Sequence, residues 1–248
     1  MNLLIETIFR AQTNQGPKVL SLPALLEALG HNEIESLPGL QRHQEDPFHI
    51  FLCYLAAAVM DRQGITEPRQ SEDFWRDGIR ILTSRKDDAA WTLVVEDVTK
   101  PAFMQPALTS RSLREKLIHK ANTPNELDVL QAAKNHDVKA GKAVLPRPED
   151  WVYALVSLQT TVGHMGRGNY GIARMNSGTG SRVCVGLVYE VSPSGRWLRD
   201  TRKLLDYLPI ILEGMWPYRS DGLVLTWTCP WDLATSLLLS ELAPFFIE

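Results

Sequence analysis

The sequence predicts an irregular α+β fold, and three observations carry that expectation. Helix-like and strand-like segments are mixed along the chain without the regular strand-helix alternation of a doubly wound sheet. No internal repeat is visible. The chain's 248 residues, 44% of them apolar, can fill one sizeable core, which excludes disorder along the whole length. With 22% charged residues, 16 glycines and 15 prolines, fibrous and low-complexity classes drop out too. The whole span 1–248 is read as one domain.

Asn2 to Phe9 is apolar-rich and stops before the Gln12–Pro17 turn signals, so it reads as a strand, with Lys18–Ser21 continuing a hairpin. Asp46 before Pro47 reads as a helix N-cap with proline in the first turn, and Gly64 closes the run, giving a helix over Pro47–Gln63. Its all-round apolarity makes it central. Ser71 starts a second helix carrying Phe74, Trp75, Ile79 and Leu82 on or near one face. Trp91–Asp97 reads as a strand and Arg111–Lys120 as a short basic helix. Asn122–Pro148 is poor in large apolar residues and reads as a long loop, a feature usually functional or disordered. Glu149–Thr161 follows as a helix with Trp151, Leu155 and Leu158 inward, then a glycine-rich stretch over Gly163–Gly180. Val183–Val191 reads as a strand, Leu198–Leu212 as an amphipathic helix and Leu223–Trp227 as a last strand. The apolar run from Leu237 to Glu248 carries no stop signal, so it is expected to be an exposed, association-prone surface at an end that is not a natural domain boundary.

The longest uncharged apolar stretch, Pro47 to Met60, is too short for the roughly 20 residues that cross a bilayer. Met1-Asn-Leu-Leu-Ile-Glu has neither a basic n-region nor a cleavage site, so no secretory signal is expected. Cys53, Cys184 and Cys229 are odd in number and far apart, which fits a reducing compartment and gives no paired-cysteine zinc pattern. The expectation is a cytoplasmic protein with no membrane partner.

The formal net charge of −3 hides an asymmetry. Residues 131–203 carry 11 basic against 5 acidic side chains, whereas residues 1–100 carry 10 against 15 and residues 204–248 carry 1 against 6. Such a segment on an acidic chain points to one defined anionic contact surface, with an ordinary solvated surface as the competing account.

Gly166-Arg-Gly168-Asn-Tyr-Gly171 matches the G-x-G-x-x-G spacing of dinucleotide-binding loops, with Glu190 further on. That motif needs a strand before it and a helix after it. Here a helix-like segment precedes it, and Ile172-Ala-Arg-Met-Asn follows without helical period. The stretch also offers backbone without side chains, interleaved with Arg167, Asn169, Tyr170, Arg174, Asn176 and Arg182. Glycine lets backbone approach a phosphate or groove edge, arginine and asparagine donate hydrogen bonds, and tyrosine stacks. His136-Asp137, with His119 and His164 elsewhere, lacks the convergent ligand spacing of a metal phosphohydrolase. G-x-S-x-G, H-E-x-x-H and Walker motifs do not occur. No catalytic residue, metal ligand or cofactor is therefore assigned.

Met1-Asn-Leu-Leu-Ile-Glu, Pro101-Ala-Phe-Met-Gln105, the Asn135-His-Asp-Val-Lys loop and the Gly163–Gly180 stretch, in this order and spacing, resemble the N-terminal region of the CasA family, the large subunit of the type I-E CRISPR surveillance complex Cascade. The resemblance covers nearly the whole chain. It implies a non-catalytic subunit of RNA-guided surveillance, in which base pairing reads the target and protein reads a short flanking motif. By the same resemblance, Gly166, Arg167, Gly168, Asn169, Tyr170 and Gly171, with Arg174 and Asn176, probe the protospacer-adjacent motif of target double-stranded DNA. Lys134, Asn135, His136, Lys139 and Lys142 contact the 5′ handle of the CRISPR RNA. The implied partners are the Cascade backbone and small subunits and a recruited helicase-nuclease. The sequence departs from the family where Arg167 and Asn169-Tyr170 interrupt the loop glycines, and in being expected to lack the family's downstream wedge and C-terminal helical bundle. The rival is a nucleotide-cofactor enzyme built on the glycine spacing at 166–171.

Overall fold

The computed structural model describes residues 1–83, 87–116, 121–127, 145–161, 192–214, 217–235 and 237–247. Phe9–Thr13 (β1) and Gly16–Leu20 (β2) form an antiparallel hairpin closed at Thr13 and Gly16, where φ is +110° and only glycine sits without strain. Pro17, which has no N–H to donate, is tolerated because β2 is an edge strand. The strand expected over Asn2–Phe9 is therefore displaced. Asn2 instead folds the N-terminus into a turn, its side-chain oxygen accepting from Leu4 N (2.9 Å) and its carbonyl from Glu6 N (2.9 Å).

A helix that the reading above leaves out follows, Leu22–Gly30 (α1). Ser21 caps it by accepting from Ala24 N (3.2 Å), and Leu22, Leu25, Leu26 and Leu29 give it a buried stripe. Asn32 turns the chain at φ +59°, and Ile34–Ser36 (β3) pairs with β1, so the sheet order is β2-β1-β3.

The central helix is Arg42–Gln63 (α2), which starts before the expected Pro47. Gln41 is its N-cap, with the Gln44 side chain accepting from Gln41 N (3.1 Å). Pro47 therefore lies inside the helix, in its second turn, where it removes the bond to the His43 carbonyl. Gly64 ends the helix at φ +66°, as its position predicts. Phe48, Phe51, Leu52, Leu55, Val59 and Met60 are all buried, which makes α2 the core element. Glu72–Ile81 (α3) follows the expected Ser71 cap, with Phe74 N donating to Ser71 Oγ (3.3 Å) and Trp75 and Ile79 fully buried.

Trp91–Asp97 is not a strand. Ala89–Trp91 is one 3₁₀ turn, and the next residues split their backbone bonds between two neighbours: Leu3 N to Trp91 O, Leu93 N to Met1 O (both 2.9 Å), and Phe103 N to Thr92 O (2.8 Å). Arg111–Lys116 of the expected basic helix is 3₁₀, and Pro124–Leu127 (α4) is a single turn inside the expected loop. Pro148–Thr161 (α5) agrees with the expected helix, but its most deeply buried face is Val152, Tyr153 and Val156, with Trp151 and Leu158 only partly covered. Pro193–Glu213 (α6) begins five residues before the expected Leu198, because Ser192 caps it (Gly195 N to Ser192 Oγ, 3.1 Å) and Pro193 occupies its first turn.

Leu223–Leu225 (β4) is shorter than expected, since Thr226–Thr228 turns as 3₁₀. The apolar run expected to be exposed is instead mostly core. Leu242–Ile247 (β5) pairs in parallel with β4, burying Leu242, Ala243, Phe245 and Ile247, while Leu238 stays exposed. Gly222 permits this pairing, because a Cβ there would strike the Leu242–Ala243 backbone.

Helices α3, α5 and α6 and strand β5 all pack on α2. Their aromatic rings form one connected core: Phe48 meets Phe9 (5.7 Å between centroids) and Tyr153 (4.8 Å), while Phe103 meets Phe51, Trp91 and Trp227. The result is a mixed α+β fold. Among the described residues no helix is long and apolar enough to cross a membrane.

Candidate functional site

The residues singled out by sequence, Gly166, Arg167, Gly168, Asn169, Tyr170, Gly171, Arg174 and Asn176, and Lys134, Asn135, His136, Lys139 and Lys142, lie outside the described residues, as do His119, His164, Cys184, Glu190 and the expected strand Val183–Val191. The elements that carry the glycine-rich stretch are described. The chain leaves at the C-terminal end of α5 and returns at the N-terminal end of α6, and both helices pack on α2.

Each helix is fixed by buried polar contacts. At the start of α5, Glu149, 1% exposed, pairs with Arg10 Nε and accepts from Arg10 N (2.9 Å), next to the helix N-terminus that favours an anion. At its other end the buried Gln159 side chain donates to Met104 O (3.0 Å). Met104 sits at φ +53° in the tight turn of Pro101–Gln105, and Gln105 Nε2 donates to Leu93 O (3.1 Å). At the start of α6, Ser194 Oγ accepts from Ile34 N (2.9 Å) and donates to Ile34 O (3.2 Å), closing the outer edge of β3.

The basic segment is partly neutralised on α6. Arg196 pairs with Asp46 (2.7 Å), Arg199 with Asp200 (2.6 Å) and Arg202 with Glu67 (3.0 Å). Two of these acids come from the acidic first hundred residues, so that part of the charge asymmetry closes within the fold. Asp46 is thus an ion-pair partner of α6 and not the cap of α2.

Sequence reasoning misses the cleft that these pairs line. Between α2 and α6, a cavity of about 260 Å³ is bordered by Asp46, His49, Cys53, Arg196, Asp200 and Lys203, among others. The only sequence signal is the His49–Cys53 spacing of four, which puts both on one helix face. His49 Nε2 lies 2.9 Å from Asp200 Oδ2 and 3.5 Å from Cys53 Sγ. Burial, and then the Arg196 charge, lower the His49 pKa against the opposing pull of Asp200. Burial pushes the Cys53 thiol up to about 12. Burial also works against the Asp200 carboxylate, but hydrogen bonds from Arg199 and His49 outweigh it and hold its pKa low.

Cysteine, histidine and aspartate together invite a nucleophile reading, and the geometry opposes it. A working base uses one ring nitrogen for the thiol and the other for the carboxylate. Here the same Nε2 faces both, and because an ionised carboxylate only accepts, that nitrogen already carries the proton. The cluster is an electrostatic clasp between α2 and α6. Among the described residues no group of three or more His, Cys, Asp or Glu is placed to hold a metal ion.

Comparison of the chain with models of protein families, with curated proteins and with solved structures finds no match.

Proposed function

We propose that the chain is a non-catalytic recognition subunit of a cytoplasmic CRISPR RNA-guided DNA surveillance complex, with a fold of the Cascade large-subunit N-terminal type. In this role Gly166–Gly171, with Arg174 and Asn176, reads a short motif in duplex DNA, Lys134–Lys142 holds the guide RNA 5′ handle, and cleavage belongs to a recruited helicase-nuclease.

One observation carries the reading. Two of the segments whose order resembles the CasA family, Met1–Glu6 and Pro101–Gln105, are distant in sequence yet meet through residues 91–93. Met1 and Leu3 bond to Leu93 and Trp91, Phe103 bonds to Thr92, and Gln159 bonds to Met104. The Phe-Met-Gln turn therefore braces the end of α5 from which the glycine-rich stretch departs.

The test uses the full chain co-expressed with guide RNA and the backbone and small subunits. Replacing Lys134, Lys139 and Lys142 by Ala should weaken association and lower the salt slope by about one unit per lost phosphate contact. Gly168→Val and Arg167→Ala should impair binding to duplexes that carry the motif while sparing single-stranded targets, because the groove approach and base-edge donors matter only there. Equal losses on all substrates, or binding of ATP or a dinucleotide by the chain alone, would overturn the proposal.

A further inference from the structure

The residues that α6 buries, Ser194, Trp197 and Thr201, all lie in its first half. Seven of the ten residues from Leu204 to Glu213 are apolar, yet none of the ten is buried. Leu204, Leu205, Leu208 and Ile211 lean half-covered on the core, while Tyr207 is 57% and Ile210 63% exposed. Those two are three residues apart, so they are neighbours on one helix face. Lys203 and Gly214 continue the stripe at spacings of four, one on each side, and Glu213 flanks it. Leu212, also exposed, lies about 200° round the helix from Ile210 and outside this stripe. Lys203 and Tyr207 border the cleft between α2 and α6, so the stripe runs along a concave surface. A contiguous apolar stripe left open to water marks an interaction site.

The charges of α6 point to what covers it. A helix macrodipole favours acids in the first turn and bases in the last, and α6 has neither. It carries the reverse: Arg196, Arg199, Arg202 and Lys203 against Asp200 alone in its first half, and Asp206 and Glu213 with no base in its second. The arginines are spent on Asp46, Asp200 and Glu67, which leaves Lys203, Asp206 and Glu213 exposed and outside any ion pair among the described residues. This order costs the single helix stability, but it is self-complementary when two such helices run antiparallel. We propose that this face of α6 binds the same face of a second copy of the chain, about a two-fold axis level with the Leu208–Pro209 peptide. Tyr207 of each copy then lies level with Ile210 of the other, and Lys203 lies one residue, about 1.5 Å of rise, from the level of Glu213. A face of three turns covers little area, so the dimer is weak and depends on concentration. The inference uses none of the residues proposed to contact nucleic acid and does not rest on that function.

Sedimentation equilibrium of the full chain tests it. The weight-average mass should rise with concentration from that of a monomer to that of a dimer and no further, because a two-fold contact closes on itself. Ile210→Asp should hold the chain monomeric over the same range, with Tyr207→Glu as the substitute if the first variant fails to fold. Lys203→Glu and Glu213→Lys should each weaken association about fivefold, since either change turns both symmetry-related attractions into repulsions. Mixing these two variants, or combining both changes in one chain, recreates both attractions and should recover the parental affinity. A monomer at every concentration, growth beyond a dimer, association unchanged in a folded Ile210→Asp chain, or no recovery in the mixture would overturn the inference.

Discussion

The Gln159 side chain donates to the Met104 carbonyl at 3.0 Å, joining the last turns of α5 to a turn 55 residues earlier in the chain. Both residues are buried, so neither group has water as an alternative partner. Gln159→Leu keeps approximate volume and leaves the carbonyl without this donor, at a cost of about 1–3 kcal/mol. Urea unfolding should report that loss. If the chain has the proposed recognition role, the same variant should also narrow the difference in affinity between duplexes with and without the motif, because the end of α5 loses its brace. A variant that is destabilised but discriminates normally would limit Gln159 to a folding role.

The Arg10–Glu149 pair predicts an asymmetry. Glu149 is 1% exposed and Arg10 35%, so the two ends differ in access to water. Removing the cation leaves a carboxylate buried without a counter-ion, at about 3 kcal/mol or more. Glu149→Gln keeps an acceptor for Arg10 N and frees a guanidinium that can hydrate, at about 1 kcal/mol. Arg10→Met should therefore be the more damaging change in chemical denaturation, and the reverse order would contradict the burial assignment.

Gly78 sets how closely α3 approaches α2. A Cβ at this position would collide with Val59 Cγ1, and Val59 is fully buried. Helix propensity alone makes Gly78→Ala stabilising by about 1 kcal/mol, but overpacking of a core contact costs about 1–3 kcal/mol. The net effect should be a lower melting temperature, with partial recovery in the Val59→Ala, Gly78→Ala double variant. Stabilisation by the single change would show that the helices separate at little cost.

Local signals made the helices legible. Ser71 with its apolar face located α3, and the continuous apolarity of Phe48–Met60 identified α2 as central. The expectations failed where a residue's partner is far away in sequence. Asp46 has the chemistry of a cap, but its partner is Arg196, 150 residues on. Trp91–Asp97 alternates like a strand yet divides its bonds between Met1–Leu3 and Phe103. The apolar C-terminal run is core because β4 lies parallel beside it, a pairing that no short-range pattern encodes. The α2–α6 clasp was hidden for the same reason, since His49 and Asp200 acquire meaning only once two helices meet.

That clasp predicts a pH dependence whose sign follows from the shift. Facing His49 are Asp46, Cys53, Arg196, Asp200 and Lys203. Burial, and then Arg196, lower its pKa below the ordinary 6.5. Between the lowered folded value and 6.5 the unfolded chain binds the proton and the folded chain does not. Stability from this group is therefore complete above pH 6.5 and is lost as pH falls below it, by at most about 1.4 kcal/mol per pH unit. The low pKa of Asp200 acts in a separate, more acidic window, below the ordinary 3.8. His49→Gln retains a donor toward Asp200 and cannot titrate, so subtracting its stability from that of the parent isolates this histidine from the others. Urea midpoints measured from pH 7.5 to 5.5 should show the parent losing stability faster than His49→Gln. Parallel curves would mean that His49 is equally protonated in both states, and a parent gaining stability on acidification would mean that attraction to Asp200 outweighs burial and Arg196.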